Sequence, residues 1–157
     1  MRDPLSELKT RARLKLNASG GRQPELKLRG CLHHVAREVG FVDWEHARRV
    51  LGGSAARGDD MGTFWHAPRC SLLLSSWFST LDEARAALAA RPQEVLLPYR
   101  RQFVVVGDAF IRELGLVPED LSWDQAQRDL VSAYASEAWR RLASLRILAP
   151  RDTFASS

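Results

Sequence analysis

Four side chains in this sequence have the types and spacings to bind a transition metal: Cys31-x2-His34 and His66-x3-Cys70. On helices, i,i+3 and i,i+4 spacings put each pair on one face, and two thiolates with two imidazoles complete a tetrahedral zinc set. The same residues offer a second chemistry. Cys31 or Cys70 could attack as a thiolate, with His33, His34, His46 or His66 as its base. Two features oppose these readings: Pro68 divides the second pair, and Cys31 lies beside an apolar stripe where a thiol packs as a small hydrophobe. Structural cysteines and histidines are the default, with no cofactor expected and zinc as the alternative.

Anion binding is the other chemistry the residues suggest. Residues 1–51 hold 11 Lys/Arg against 6 Asp/Glu, in a chain whose formal net charge is +4. Lys9, Arg11, Arg13, Lys15, Arg37, Arg48 and Arg49 would form a basic N-terminal surface able to attract nucleic acid or an acidic protein. Later in the chain, Tyr99 precedes Arg100 and Arg101, and a strand turn carrying two guanidiniums beside an aromatic ring suits an anionic ligand. The adjacent carboxylates Asp59-Asp60 and Glu119-Asp120 read as turn and helix-entry residues. No phosphate-binding loop, dinucleotide fingerprint, metalloprotease or nucleophile-elbow motif occurs, which removes the easily recognised enzyme classes.

The elements that must position these groups are readable from periodicity and capping. Asp3-Pro4 opens a helix whose stripe is Leu5, Leu8, Ala12 and Leu16, and 17–21 closes it. Pro24 opens a second, with Leu28, Leu32, Val35 and Val39 inward and Gly40 at its left-handed end. Asp43 caps a third, with Trp44, Ala47 and Leu51 inward. The glycine-rich segment 54–62 reads as a linker. Strands are expected at 63–66, 71–78, 94–99 and 102–106, with Pro98 placing its strand at an edge. Capping boxes at Thr80-x-x-Glu83 and Ser122-x-x-Gln125 announce helices, the latter running to about Leu148 with a break near Ala135-Ser136. Asp108 is expected to cap a short helix ending at Gly115.

The expected fold is therefore α+β: a three-helix part at 3–52, then a small sheet of about four strands with helices at 63–150, with the two as separate parts or as one continuous domain. The final helices should cover one face of the sheet. The longest uncharged run, 70–81, is too short to span a bilayer, so no membrane partner is expected. With two cysteines and no secretory leader, the expectation is a cytoplasmic protein with reduced thiols. The five Trp are expected mostly as core anchors, although Trp44 and the Trp65/Trp77 pair could also serve as stacking platforms.

The run from Cys31 to Trp44, CLHHVAREVGFVDW, continuing to Ala47 and Leu51, resembles a short helical module of bacterial proteins labelled glyoxalase-related. The shared pattern is A-R-x-x-G-F-x-x-W at the end of an apolar helix. The resemblance implies a way of packing two helices and names no catalytic residue. A glyoxalase fold needs paired βαβββ units with His/Glu metal ligands, which the expected element order does not supply. The rest, including Leu97 to Phe103, resembles small uncharacterised bacterial proteins. The leading functional expectation is a non-enzymatic binding or regulatory protein using the basic N-terminal surface. The alternative is a small metalloprotein or enzyme built on Cys31, His34, His66 and Cys70. The sequence leaves the oligomeric state open.

Overall fold

The computed structural model describes residues 3–20 and 24–154. Helix α1 (Pro4–Ala18) starts where Asp3 Oδ1 accepts from the amides of Leu5 and Ser6 at 2.9 and 3.2 Å, while Pro4 takes a position whose amide would have no partner. It ends at Ser19 and Gly20; Gly21 of the expected stop lies outside the described residues. Helix α2 (Pro24–Glu38) buries Val35 and Ala36 against α1. Helix α3 (Trp44–Leu51) begins with Asp43 Oδ1 accepting from His46 N at 2.8 Å.

The α2–α3 junction is built around two glycines. Gly40 has φ +100°, a backbone that only glycine adopts at little cost, and a Cβ there would fall 2.5 Å from Thr63 Oγ1. Gly62, at φ +67°, comes equally close from the other side: its Cβ would meet Gly40 O at 2.5 Å. Thr63 N donates to Gly40 O at 2.9 Å, so segment 61–63 lies directly on the end of α2.

The expected strand at 63–66 is absent. His66 N bonds Thr63 O at 3.0 Å to close a turn, and Pro68–Leu72 forms a short 3-10 helix. The aromatic character of that stretch serves burial of Phe64 and Trp65 in the core, not a ladder. The sheet therefore has three strands where about four were expected. β1 (Ser75–Phe78), β2 (Val95–Tyr99) and β3 (Gln102–Val106) are antiparallel in the order β1-β3-β2. Tyr99 pairs with Gln102, which leaves Arg100 and Arg101 as the turn, as read from sequence. Pro98 does lie on an edge strand. The outer side of β2 is closed by segment 128–130, with Leu96 N donating to Arg128 O and Leu130 N to Leu96 O.

Helix α4 (Leu81–Ala90), entered through the Thr80–Glu83 pair, covers one sheet face over Leu96 and Val105. The opposite face, carrying Val95, Leu97, Val104 and Val106, joins the main core with α5 (Asp108–Glu113), α6 (Leu121–Gln125) and α7 (Glu137–Ile147). Two caps differ from expectation. Gly107, not Asp108, precedes α5, and Asp120, not Ser122, caps α6, its Oδ1 accepting from Ser122 N at 2.8 Å. The expected break before α7 is a run of turns ending at Ala135, with Ser136 as the cap. One buried cluster runs from Leu8 in α1 to Phe154, so the helical part and the sheet part share a core. Among the described residues no helix is long and apolar enough to cross a membrane.

Candidate functional site

Cys31, His34, His66 and Cys70 do not assemble a metal site. Among the described residues no group of three or more His, Cys, Asp or Glu side chains is placed to hold an ion. His34 Nε2 stands 3.4 Å from Glu38, one turn along its own helix, and Cys31 is half-buried beside it. Cys70 is buried, its thiol directed at Phe110 O, and burial pushes its pKa up to about 11. A thiol held so far from its thiolate is a poor nucleophile.

The other histidines hold turns together. His33 Nδ1 accepts from Trp44 N at 3.0 Å, and His46 Nδ1 accepts from Val42 N at 3.0 Å. His46 Nε2 donates to the carbonyl Asp60 O at 2.6 Å. These two rings secure the α2–α3 turn and tie it to the 59–62 segment.

Many of the N-terminal cations are engaged locally. Arg11 donates to Glu7 and to Ile147 O, Lys15 stands 3.4 Å from Glu38, Arg48 pairs with Glu45, and Arg37 donates to Val42 O. Lys9 and Arg13 are exposed on α1. Arg49 reaches toward Asp59 at 4.0 Å, which leads to the hairpin turn.

At that turn Arg100 and Arg101 stand over a cavity of about 210 Å³. Its apolar lining comes from Trp65, Met61 and Val50, from Pro98 and Phe103 of the hairpin, and from Leu130, Tyr134 and Trp139. Arg100 has φ 53°, a left-handed backbone uncommon for a side chain with a Cβ. Two hydrogen bonds maintain it: Met61 N donates to Arg100 O at 2.9 Å, and Arg100 N donates to Gly62 O at 2.8 Å. The α2–α3 junction thus positions the turn, because Gly62 is the residue that packs on Gly40.

The rim is cationic. Arg100 lies 5.8 Å from the Tyr99 ring centroid, Arg101 donates to Gly58 O at 3.5 Å, and Arg57 has no ion pair or hydrogen bond among the described residues. Asp59 is the acid at the rim, already accepting from Ala56 N at 2.8 Å. Inside, the Tyr134 hydroxyl accepts from Ala55 N at 3.1 Å and donates to Val50 O, and burial raises its pKa, so it remains a neutral donor. Ser132 is occupied by Asp129 and Arg85. Among the described residues that line the cavity, the hydroxyls of Ser132 and Tyr134 are thus both engaged.

Sequence reading found Arg100 and Arg101 but missed Arg57, Met61, Tyr134 and Trp139, which converge only through tertiary contacts. It also missed Arg146, which is fully buried. That guanidinium donates to Phe64 O at 2.7 Å, Leu114 O at 2.6 Å, Thr153 Oγ1 and O at 2.7 Å, and His66 O at 3.2 Å, and lies 3.7 Å from the Phe154 ring centroid. Burial pushes its pKa down to about 9. The signal in the sequence was an Arg on the stripe Trp139, Leu142, Ala143, where one expects an apolar residue. Comparison with protein-family models, curated proteins and solved structures finds no match to this chain.

Proposed function

We propose that this is a non-enzymatic binding protein that takes a small organic anion, of the size of a single-ring carboxylate, in the cavity beneath Arg100 and Arg101. The observation that carries this reading is the conjunction of an aromatic-walled cavity of about 210 Å³ with a rim of Arg57, Arg100 and Arg101. Size limits the ligand, since a cavity of about 150 Å³ accommodates benzene. Trp65, Tyr134 and Trp139 favour a flat apolar body, and a guanidinium fork favours a carboxylate. The lining hydroxyls and acid are engaged within the protein, which supports binding without chemistry.

Titration calorimetry with benzoate and phenylacetate, each against its neutral amide, tests the proposal. The acids are expected to bind at least about tenfold more tightly than the amides, and Arg100→Ala to remove most of that difference. Equal affinity for acid and amide, or no binding of either, would refute the reading.

A further inference from the structure

Of the five Trp, four are packed in the core at 9% exposure or less, whereas Trp77 on β1 is 42% exposed. Register explains its position. Trp77 pairs with Val104 and Tyr99 with Gln102, so both rings lie on the sheet face of Leu97 and Val104, which closes on the main core. That face emerges to solvent at the hairpin end, in an open pocket lined by His66, Ser71, Ser75, Trp77, Tyr99 and Gln102. The pocket shares no lining residue with the cavity beneath Arg100 and Arg101. Its indole is held in place. Trp77 Nε1 donates to Ser75 Oγ at 3.0 Å, its ring lies 5.0 Å from Tyr99 at an interplanar angle of 86°, and His66 supports Tyr99 at 5.0 Å. Fixing an indole in water costs both burial and side-chain freedom, which marks this one as a contact surface.

We infer that this pocket binds single-stranded nucleic acid by stacking a base on Trp77. Charge selects the ligand. The lining is aromatic and uncharged, but its flanks are cationic: Arg100 stands 5.8 Å from the Tyr99 ring centroid, and Arg69, next to Cys70 in the 3-10 helix, is exposed. Glu113 of α5 acts on the buried Cys70, and no carboxylate lines the pocket itself. A cation is therefore repelled, and a neutral sugar would leave the guanidiniums without a partner. A nucleotide unit uses both parts, with its base on the rings and its phosphate at the arginines. The polar groups suit base edges. The Gln102 amide has no hydrogen bond among the described residues, and the Ser75 hydroxyl, which accepts from the indole, still has its proton to donate. A duplex cannot use the rings, because its bases are already stacked on one another.

Fluorescence anisotropy with labelled oligo(dT), oligo(U) and a GC-rich blunt duplex of equal length, on the full chain, tests the inference. At least one single strand is expected to bind about tenfold more tightly than the duplex, although the duplex carries the denser charge, and its affinity should fall as salt rises. The tighter of the two strands tells DNA from RNA. Trp77→Leu keeps apolar bulk but removes the aromatic face and should weaken strand binding at least about fivefold, whereas Trp77→Phe should retain most of it. Lys9→Ala, on the exposed side of α1, should leave the preference for single strands intact. Benzoate binding should be unchanged by Trp77→Leu, so this site and the anion cavity stand or fall separately. No strand binding at low salt, a preference for duplex, or a strand affinity indifferent to Trp77→Leu would each overturn the inference.

Discussion

The His66 ring shows how one side chain can couple stability to pH. It packs edge-on against Tyr99 and Phe110, and its Nδ1 is buried without a hydrogen-bond partner among the described residues. Burial first, and then the nearby Arg146 guanidinium, holds its pKa below the ordinary imidazole value. Between that lowered value and about 6.5 the unfolded chain binds more protons than the folded one. Stability is therefore complete above pH 6.5 and declines as pH falls through the folded pKa. Urea unfolding midpoints measured from pH 7.5 down to 5 should fall less for His66→Leu than for the wild type. A wild-type curve parallel to the variant's would contradict this. Among the described residues the two Cys/His pairs do not come together into a group that could hold a metal ion, and the reason is physical. Spacing within each Cys/His pair is local, whereas convergence of two pairs 32 residues apart depends on packing that the sequence does not display.

Among the elements, those governed by local chemistry were the legible ones. Asp3, Asp43 and Thr80 cap helices because their oxygens reach amides two or three residues ahead, an interaction that does not depend on the rest of the fold. The hairpin around Arg100 and Arg101 was legible for the same reason. Segment 63–66 was not, since an aromatic run looks the same whether it enters a ladder or fills a core. The α2–α3 junction gives a direct test of close packing. Gly62 and Gly58 both have positive φ, but a Cβ at Gly58 meets nothing within 4 Å. Gly58→Ala should cost about 1 kcal/mol from backbone strain alone. Gly62→Ala adds a collision with Gly40 O and Phe41 and should cost about 3 kcal/mol in urea denaturation. Equal losses would mean that the two backbones do not need to approach so closely.

Across the whole molecule, Arg146 connects parts that no local rule brings together. Its acceptors come from the 63–66 turn, the end of α5 and the C-terminal 3-10 turn (Arg151–Thr153), and the packing beneath them is shared by helices and sheet. Lysine would keep the charge but has three donors on a flexible stem in place of a planar five-donor fork. Arg146→Lys should therefore lower unfolding stability by about 3 kcal/mol, with Arg146→Ala at least as damaging; a thermal melt with less than about a 3 °C shift in either variant would disprove this.

The same knot also gives the molecule a clock. Arg146 and its acceptor on Phe64 are 82 residues apart, and ribosomes add roughly 5–20 residues per second, so on the ribosome the carbonyls of Phe64 and His66 wait roughly 4–16 s for their donor. Until then the nascent chain holds Phe64 and Trp65 without the α7 surface that completes their core, so these two aromatics are the last part of the N-terminal half to gain their full cover.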